Sequence, residues 1–354
     1  MKNQTLQEEG SIMKKRYLGD IEVSAIGMGC MGFSHAYGDP APRQDCINMM
    51  REAHDMGVTL YDTADVYGDG HNEKLVGEAL KPIRHEVKIL TKFNPERNPI
   101  SDPAKGTVEE QMEQRLDASL KRLDTDYVDI YMMHRVPTDV PFEECVKAMK
   151  HFKEKGKILG WGMSRATEEQ IRTAHKILPV NVIQNEFSMM VRTPLNDGTL
   201  KACKELNIGF TPYMPLASGF LSGAFKPGMT YKHDDIHREF TWFTDENLKK
   251  NQPVLDMLEH FSKEKQATYA QIALAYLMHE YKNLVPIPGM YQEKYIKENL
   301  ATADVDLSDE DMAVINRTLD NIKIYGDNEE WRVDKLREEV KKEGFDINKL
   351  DSTN

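Results

Sequence analysis

Three stretches of the sequence decide the fold. Residues 58–68 read VTLYDTADVYG, residues 88–93 read KILTKF, and residues 127–135 read YVDIYMMHR. In each stretch a short apolar run, rich in β-branched residues, is followed by a polar residue. Amphipathic helical patterns separate the runs, and this alternation of strand and helix predicts a parallel sheet covered by helices.

The same pattern continues on both sides and gives eight predicted strands. Two of the helical segments between them, residues 44–57 and 141–156, end on a glycine, which is typical of a helix C-terminus. Eight strands with intervening helices favour an α/β fold of the (β/α)8 TIM-barrel class. The predicted strands span residues 24–28, 59–62, 88–91, 127–133, 158–163, 182–184, 209–212 and 284–287.

The flanking segments predict additions to the barrel. Residues 16–18 and 21–23 flank Gly19-Asp20, which predicts an N-terminal hairpin that plugs one end of the barrel. Residues 226–247 are polar, aromatic and aperiodic, as in an extended loop that covers a site. The charged pattern late in the chain favours extra C-terminal helices. We expect a disordered extension over residues 1–13, the barrel over residues 14–325, and a charged helical tail over residues 326–354 packed on the barrel.

The charge balance argues against several classes of partner. The chain has 354 residues, with 46 Lys and Arg against 58 Asp and Glu, and a formal net charge of −12. Polyanions are repelled at long range, so we expect no nucleic-acid partner. With no apolar run near the roughly 18 to 20 residues of a membrane helix, and no signal-peptide core, we expect a cytoplasmic protein without a membrane partner. The four cysteines form no CxxC pair, and we expect them to be reduced.

In a parallel barrel the active site lies at the carboxyl ends of the strands. Asp62, Lys92 and His134 fall at such ends, and Tyr67 follows on the loop after Asp62. A phenol has an ordinary pKa of about 10, and a nearby ammonium lowers that pKa by stabilising the phenolate. Lys92 would supply this charge, Asp62 would keep Lys92 protonated, and His134 would orient a substrate oxygen. Taken singly, each residue is better explained by a structural role, but four on neighbouring strand ends indicate a catalytic site.

The segments DTADVYG, LTKF and YMMHR, in this order, resemble the signature of the aldo-keto reductase family. The similarity continues through residues 160–167, 182–188, 212–223 and 285–300, and so covers the chain from about residue 17 to residue 320. The chain is most similar to the longer bacterial and plant-like members. The resemblance implies a reversible, NAD(P)H-dependent reduction of a small aldehyde or ketone, with the proton from Tyr67.

The resemblance also implies a cofactor site without a Rossmann domain. Ser164 and Gln184 would bond the nicotinamide amide, and Tyr213 would stack on the ring. The implied cofactor-binding residues are Met31, Ser164, Arg165, Gln184, Tyr213, Pro215, Leu216, Ala217, Gly219, Gly289, Glu298 and Asn299. By position, we expect a substrate pocket lined by Phe33, His35, Tyr37, Asn94, Val136 and Phe187.

Two departures from the family pattern bear on these assignments. Arg165 stands where many members carry asparagine, and Met-Tyr-Gln at residues 290–292 replaces a small residue followed by lysine or arginine. A 2′-phosphate normally needs a cation, and the nearest are Lys294 and Lys297. We expect NADPH as the cofactor, with NADH as the alternative.

Two other functions stay open at this point. One is a regulatory subunit that senses the nicotinamide cofactor with slow or no turnover, because one fold can serve several roles. The other is a barrel metallohydrolase or glycosidase that uses carboxylates such as Asp62 and Glu186. We expect no metal site, since His233 and His237 fall in the polar loop and favour a solvated segment. Nothing in the sequence indicates the oligomeric state.

Two further signals favour structural roles. Gly27, Gly29 and Gly32 form a literal GxGxxG after a predicted strand, but prolines follow where a Rossmann helix should begin, so we reject a dinucleotide fingerprint. Trp161 lies three positions before Ser164 on one predicted strand. The alternation of a strand predicts that Trp161 points away from the barrel interior, toward the helices.

Overall fold

The structure is a computed structural model that describes residues 13–232 and 234–328. A two-stranded antiparallel sheet precedes a seven-stranded parallel sheet whose strands follow one another in chain order. The antiparallel strands are β1 (Lys15–Leu18) and β2 (Ile21–Ser24). The parallel strands are β3 (Met28–Gly29), β4 (Leu60–Asp62), β5 (Lys88–Phe93), β6 (Val128–Met133), β7 (Ile158–Ser164), β8 (Val182–Gln184) and β9 (Gly209–Phe210).

An irregular segment, residues 283–289, closes the barrel at the eighth position. On one side it bridges Phe210 of β9 through Leu284, and on the other it bridges Gly29 of β3. The prediction of a regular eighth strand is wrong here, because Pro286 and Pro288 lack the N–H that a continuous ladder needs. Their carbonyls still accept hydrogen bonds from Gly27 and Gly29, so the ring is complete and the predicted (β/α)8 class is confirmed.

The first predicted strand is also corrected. Ser24 belongs to the hairpin, where it pairs with Lys15, and the first barrel strand begins only at Met28. The hairpin itself forms as predicted. Its Leu18 and Val23 are buried in the same apolar cluster as Leu60 and Val182 of the barrel, so the hairpin plugs the end from which the strands start.

Alternation along each strand separates two apolar layers. Leu60 faces the barrel interior with Leu90 and Met132, whereas Tyr61 points outward and donates a hydrogen bond to the carbonyl of Met50. The outward side chains form the larger cluster between the strands and the helices. Trp161 lies in this outer cluster, fully buried, which confirms its predicted direction.

The helices cover the outside of the ring. Four of them begin with a capping box in which a threonine or serine side chain accepts from the backbone three residues on, a pattern written in the sequence as T/S-x-x-E/Q/D. The helices are α1 (Arg43–Asp55), α2 (His71–Leu80), α3 (Val108–Leu123), α4 (Phe142–Glu154), α5 (Glu168–Ile177), α6 (Thr199–Leu206), α7 (Asp245–Lys250), α8 (Gln252–Lys265), α9 (Tyr269–Glu280), α10 (Glu293–Leu300) and α11 (Asp309–Asp320).

Gly32 lies in a short 3-10 turn, and the next helix, α1, begins only at Arg43. No helix therefore opens at the GxGxxG segment, in agreement with our rejection of a Rossmann fingerprint. Among the described helices, none combines the length and the apolar character that a membrane span requires.

The loop predicted over residues 226–247 folds back over the barrel. Ile236 donates its backbone N–H to the carbonyl of Ala36, and Lys232 forms an ion pair with Asp39. The expectation of a solvated segment is wrong for His237, which is 5% exposed and hydrogen-bonded to Asp235 and to the Ser218 carbonyl. His233 lies outside the described residues, as do residues 1–12 and 329–354, to which most of the predicted extension and tail belong.

We predict that Leu18→Ala lowers the free energy of unfolding by about 2–4 kcal/mol, because the change leaves a cavity in the plug of the barrel. Urea denaturation followed by circular dichroism measures this difference. Tyr17→Ala is the matched control, since Tyr17 is the neighbouring residue and is 45% exposed. Its cost should stay below about 1 kcal/mol. Equal losses in the two variants would show that the hairpin does not seal the core.

Candidate active site

Four polar side chains form one layer at the carboxyl end of the barrel. Asp62, Lys92, His134 and Gln184 each lie two residues beyond an interior apolar strand residue, namely Leu60, Leu90, Met132 and Val182, and His134 directly follows the end of β6. Because side chains of a strand alternate, two residues on returns to the same face. The polar layer therefore follows directly from the apolar layer below it, at the position where a parallel barrel builds its active site.

The Lys92 ammonium is the centre of this layer. Its side chain is 0% exposed, and Nζ donates to Asp62 Oδ1 at 2.6 Å, to the Thr63 carbonyl at 2.8 Å and to Tyr67 Oη at 3.5 Å. Burial lowers the pKa of Lys92, but the attraction of Asp62 and Tyr67 outweighs burial and leaves that pKa above its ordinary value. Lys92 is therefore a buried cation that stays protonated at neutral pH.

Asp62 is held from both sides. Its Oδ1 accepts from Lys92, and its Oδ2 accepts from Gln184 Nε2 at 2.8 Å. Gln184 also donates to Thr211 Oγ1 at 3.3 Å. Both oxygens of the buried carboxylate are thus engaged, which fixes the direction in which Asp62 presents its charge.

Tyr67 reaches the layer from the loop after β4. It begins a tight turn in which Gly68, Asp69 and Gly70 all have positive φ. Glycine adopts this conformation without steric cost, and it occupies two of the three positions. The turn brings the phenol next to two imidazoles. The ring centroid of Tyr67 lies 5.8 Å from that of His134, edge to face, and 5.5 Å from that of His35.

These side chains open into one cavity at the barrel mouth. Most residues that the sequence analysis assigned to the catalytic, cofactor and substrate positions line it. They are Asp62, Tyr67, His134, Met31, Ser164, Arg165, Gln184, Tyr213, Pro215, Leu216, Gly219, Gly289, Glu298, Asn299, His35, Tyr37 and Asn94.

Five assigned residues do not line the cavity. Lys92 lies beneath Asp62 and Tyr67, and Ala217 is buried inside its own turn. The expectation that Phe33 and Phe187 line the substrate pocket is wrong, because both are fully buried in the outer apolar cluster. Phe187 packs edge to face with Phe210 and Tyr276. Alternation explains Phe187, since it is three residues beyond the inward-facing Gln184. The expectation for Val136 is likewise corrected, since this half-buried residue is not among those that line the cavity.

Several lining residues were missed by the sequence analysis. Arg135 directly follows His134 and could have been found by its position at a strand end. Tyr291 stacks on Tyr37, with ring centroids 5.2 Å apart, and so joins the segment after β3 to the segment that closes the barrel. Asn328 reaches the cavity from beyond α11, and no local pattern signals it.

The turn after Tyr213 carries backbone strain. Met214, Ala217 and Ser218 are non-glycine residues with positive φ, and Gly219 has φ of 91°. Such conformations cost free energy and concentrate at ligand sites. The turn lines the cavity through residues that the sequence analysis assigned to the cofactor, Pro215, Leu216 and Gly219 among them. Ser164 and Gln184 supply an alcohol and an amide, and Tyr213 supplies an aromatic ring. The residues present therefore fit a nicotinamide dinucleotide.

A second buried carboxyl lies behind the site. Asp65 is 9% exposed, and its Oδ1 has no hydrogen-bond partner among the described residues. Burial, helped by the charge of Glu73, raises the pKa of Asp65 to about 7. Glu73 is itself fully buried, paired with Arg122 at 2.6 Å and hydrogen-bonded by Thr91. This network supports the loop that carries Tyr67 from below.

Within residues 13–232 and 234–328, no group of three or more His, Cys, Asp and Glu side chains has the arrangement of a metal site.

The family model "Aldo/keto reductase family" matches residues 25–320, most of the chain. The chain therefore belongs to the aldo/keto reductase family and is an oxidoreductase. This confirms the resemblance inferred from the strand-end motifs.

Individual relatives agree with this membership. A probable aldo-keto reductase 1 from Glycine max is 39% identical over 295 residues, which are 83% of this chain and 85% of the relative. Aldo-keto reductase yakc [NADP(+)] from Schizosaccharomyces pombe is 35% identical over 317 residues, 88% of this chain and 93% of the relative. Among solved structures, an aldo/keto reductase from Klebsiella pneumoniae in complex with NADP and acetate is 25% identical, with a TM-score of 0.67, and covers 86% of this chain and 95% of its own.

We predict that Asp65→Asn stabilises the protein more at pH 8 than at pH 5. In the folded protein Asp65 has a pKa of about 7, above its ordinary value near 4, so the folded state binds a proton that the unfolded chain releases. Stability is therefore lost as the pH rises between these two values. The amide removes this loss, and its advantage over wild type should grow by about 2 kcal/mol between pH 5 and pH 8.

Urea denaturation of both proteins at the two pH values measures the effect, and Asp55→Asn, an exposed carboxyl on α1, is the control. An advantage that does not change with pH would contradict a protonated Asp65.

Proposed function

We propose that this protein reduces a small aldehyde or ketone to the alcohol with NADPH, and that the Tyr67 phenol supplies the proton. The observation that carries the proposal is the contact of the Tyr67 oxygen with the buried Lys92 ammonium, 3.5 Å away, beside His134 and inside a cavity. Family membership supports the reaction class. The printed names of the Schizosaccharomyces pombe relative and of the Klebsiella pneumoniae structure support NADP(H) as the cofactor.

When bound, NADPH supplies a hydride to the carbonyl carbon. Tyr67 Oη gives its proton to the carbonyl oxygen, so the substrate gains one hydride and one proton and becomes the alcohol. The phenolate that remains lies next to the Lys92 ammonium, which offsets its charge until a proton returns from solvent. In the reverse direction the same phenolate accepts the proton of the alcohol.

His134 lies next to Tyr67 and could therefore contact the same carbonyl oxygen of the substrate. Its ring stands edge to face with Tyr67, so a carbonyl that accepts from the phenol also comes within reach of the imidazole. We assign His134 the orientation of the carbonyl oxygen and Asp62 the anchoring of Lys92. Neither role needs a change of charge during the reaction.

The cofactor residues would divide between the nicotinamide and the adenosine parts of the dinucleotide. Ser164 and Gln184 would bond the nicotinamide carboxamide, Tyr213 would pack on the ring, and the turn from Pro215 to Gly219 would lie along the pyrophosphate. Glu298 and Asn299 on α10 also line the cavity and would hold the adenosine side.

The contacts of the acidic residues disfavour the other two functions. Asp62 is occupied by Lys92 and Gln184, and Glu186 does not line the cavity, so the pair does not offer the two free carboxyl groups of a glycosidase. A pure cofactor sensor would not need the ammonium next to the phenol. The assembled contacts of Lys92, Asp62 and Tyr67 favour an enzyme that turns over.

We predict that Tyr67→Phe lowers kcat/KM for an aromatic aldehyde by about 10²- to 10⁴-fold, because the variant keeps the ring and loses the proton donor. Steady-state loss of NADPH absorbance measures turnover, and fluorescence titration measures the NADPH Kd, which should stay within a few-fold of wild type. Tyr17→Phe, an exposed phenol on the hairpin, is the control. Retained turnover in Tyr67→Phe would overturn the role of the phenol. Wild-type binding of NADPH without turnover of any aldehyde would favour the sensor.

We predict that Lys294→Ala weakens NADPH binding about 5- to 10-fold and leaves NADH binding unchanged, since one charge-assisted contact with the 2′-phosphate is lost. Lys297 is less suited to this contact, because it bonds Glu293 at 2.7 Å and lies 3.8 Å from Glu52. Lys297→Ala is therefore the matched control on the same helix. Titration with both nucleotides measures the difference. Equal NADPH affinities for wild type and Lys294→Ala would remove the phosphate role from this residue.

A further inference from the structure

His237 is a buried histidine that the proposed reaction does not use. It is 5% exposed and belongs to the loop that folds over the barrel mouth. Ile236 and Phe240 of this loop line the cavity, whereas His237 itself is not a lining residue. An effect of His237 on a bound molecule would therefore act through its neighbours.

Both ring nitrogens of His237 face oxygen atoms that accept hydrogen bonds. Nε2 lies 2.7 Å from the Ser218 carbonyl, and Nδ1 is hydrogen-bonded to Asp235 Oδ1. The same Oδ1 also accepts the backbone N–H of His237 at 3.0 Å, as a carboxylate oxygen does. A neutral imidazole carries one N–H and could donate to only one of these oxygens. The imidazolium carries two, so it is the form that satisfies both contacts.

Aromatic rings surround the imidazole. The distances between ring centroids are 4.4 Å for Phe243, 4.5 Å for Phe225, 5.4 Å for Tyr231 and 5.7 Å for Tyr37. The faces of aromatic rings attract cations. Together with the Asp235 carboxylate, these rings form an environment suited to a positive charge.

The other titratable groups near this pair keep their charge over the neutral pH range. Burial raises the pKa of Tyr37 to about 12 and also raises that of Tyr231, so both phenols stay neutral at pH 9. Asp245 is exposed at the start of α7 and accepts the Gly228 N–H at 2.7 Å. Histidine is the side chain whose charge ordinarily changes near neutral pH. The other charged residues of the described loop are Lys226, Lys232, Asp234, Arg238 and Glu239, of which Asp234 is buried.

The Ser218 carbonyl belongs to the strained turn of the cavity wall. Ala217, Ser218 and Gly219 are three successive residues in the left-handed region, with φ of 49°, 52° and 91°. Such a backbone persists only when its surroundings fix it. The peptide unit between Ser218 and Gly219 is fixed on both sides, because its carbonyl accepts from His237 and its N–H donates to the Leu216 carbonyl at 2.9 Å. His237 thus holds this turn from behind.

We propose that His237, as an imidazolium paired with Asp235, is a positioning residue for the cofactor: it holds the Ser218 carbonyl and so fixes the turn in the shape that binds the pyrophosphate of NADPH. This rests on the proposed NADPH-dependent function. When His237 loses a proton, its one remaining N–H can hold either Asp235 or the Ser218 carbonyl, but not both. The affinity for NADPH should therefore fall as rising pH removes this proton.

The first measurement is the protonation state of His237 in the folded protein. Proton–nitrogen correlation spectra of the nitrogen-15-labelled protein distinguish an imidazolium from both neutral tautomers, and His237→Gln identifies the signals of His237. We expect the imidazolium at pH 7. Because binding of the proton and of NADPH would be linked, saturating NADPH should move the titration midpoint of His237 to higher pH. A neutral His237 at pH 7 would overturn the proposal.

The second measurement is the Kd of NADPH by fluorescence titration between pH 6 and pH 9. At pH 7, His237→Gln should bind NADPH about 10-fold more weakly than wild type, since the variant loses the charge-assisted contact. The ratio of the two Kd values cancels the ionisation of NADPH itself. This ratio should fall toward one at the pH where the spectra show a neutral His237. A ratio that stays the same after wild-type His237 has lost its proton would indicate a contact that does not depend on charge, and would overturn the proposal.

Two further variants make the test specific. Asp235→Asn removes the negative charge next to the imidazole, so the titration of His237 and the pH profile of Kd should both move to lower pH by the same amount. His260→Gln is the control, because His260 lies on α8 with a side chain that is 69% exposed, outside the cavity lining. It should leave Kd unchanged at every pH. Circular dichroism checks the fold of each variant, and the profiles of wild type and Asp235→Asn decide the matter even where His237→Gln does not fold.

The outcomes separate this inference from the reductase function. NADPH binding that follows the protonation of His237, without turnover of any aldehyde, would support the inference and count against the reductase. Turnover of an aldehyde together with a Kd that is equal in wild type and His237→Gln would overturn the inference and leave the reductase intact.

Discussion

The buried ion pair between Lys92 and Asp62 is the interaction on which the rest of the site depends. An ammonium with no exposed surface is costly unless an anion and further acceptors surround it, and here Asp62 and the Thr63 carbonyl do so at 2.6 and 2.8 Å. Gln184 then fixes the second oxygen of Asp62. The third direction of the ammonium is left for Tyr67. The position of the ammonium next to the phenol is thus set by residues on three different strands. Small movements of the surface loops should therefore leave that position unchanged.

The barrel provides this pair through a simple periodicity. Leu60, Leu90, Met132 and Val182 close the apolar interior, and the next inward position on each strand carries Asp62, Lys92, His134 or Gln184. Leu18 and Val23 of the hairpin are buried below the apolar layer, and the polar layer lines the cavity at the opposite end of the barrel. The same strands therefore carry both the apolar layer that stabilises the barrel and the polar layer of the candidate active site. A larger residue in the apolar layer would displace the polar group two positions on, which couples core packing to the geometry of the site.

This periodicity also explains how much of the molecule could be predicted from the sequence. Strand ends are local features, and for this reason Asp62, Lys92 and His134 could be found by inspection and the family recognised from their motifs. Phe187 is not a pocket residue, because alternation continued for three residues beyond the inward-facing Gln184 sends its ring into the outer cluster. The prediction of a regular eighth strand was wrong for another local reason, because the two prolines of residues 283–289 lack the N–H groups that a continuous ladder needs. By contrast, the burial of His237 and the arrival of Asn328 depend on contacts between segments far apart in the chain, which no local pattern encodes.

The contrast between the floor and the rim of the cavity bears on specificity. The floor is built by rigid strands and carries the residues that we propose act on the carbonyl, whereas the rim is built by loops and by side chains such as Arg165 that follow the strand ends. Strand β7 ends at Ser164, and Arg165 is the next residue, at the rim of the cavity. Arg165 has a left-handed φ of 55°, and its guanidinium carbon lies 5.5 Å from the centroid of the Tyr213 ring. A substitution at position 165 therefore changes a side chain at the rim and removes none of the hydrogen bonds that hold Lys92 and Asp62.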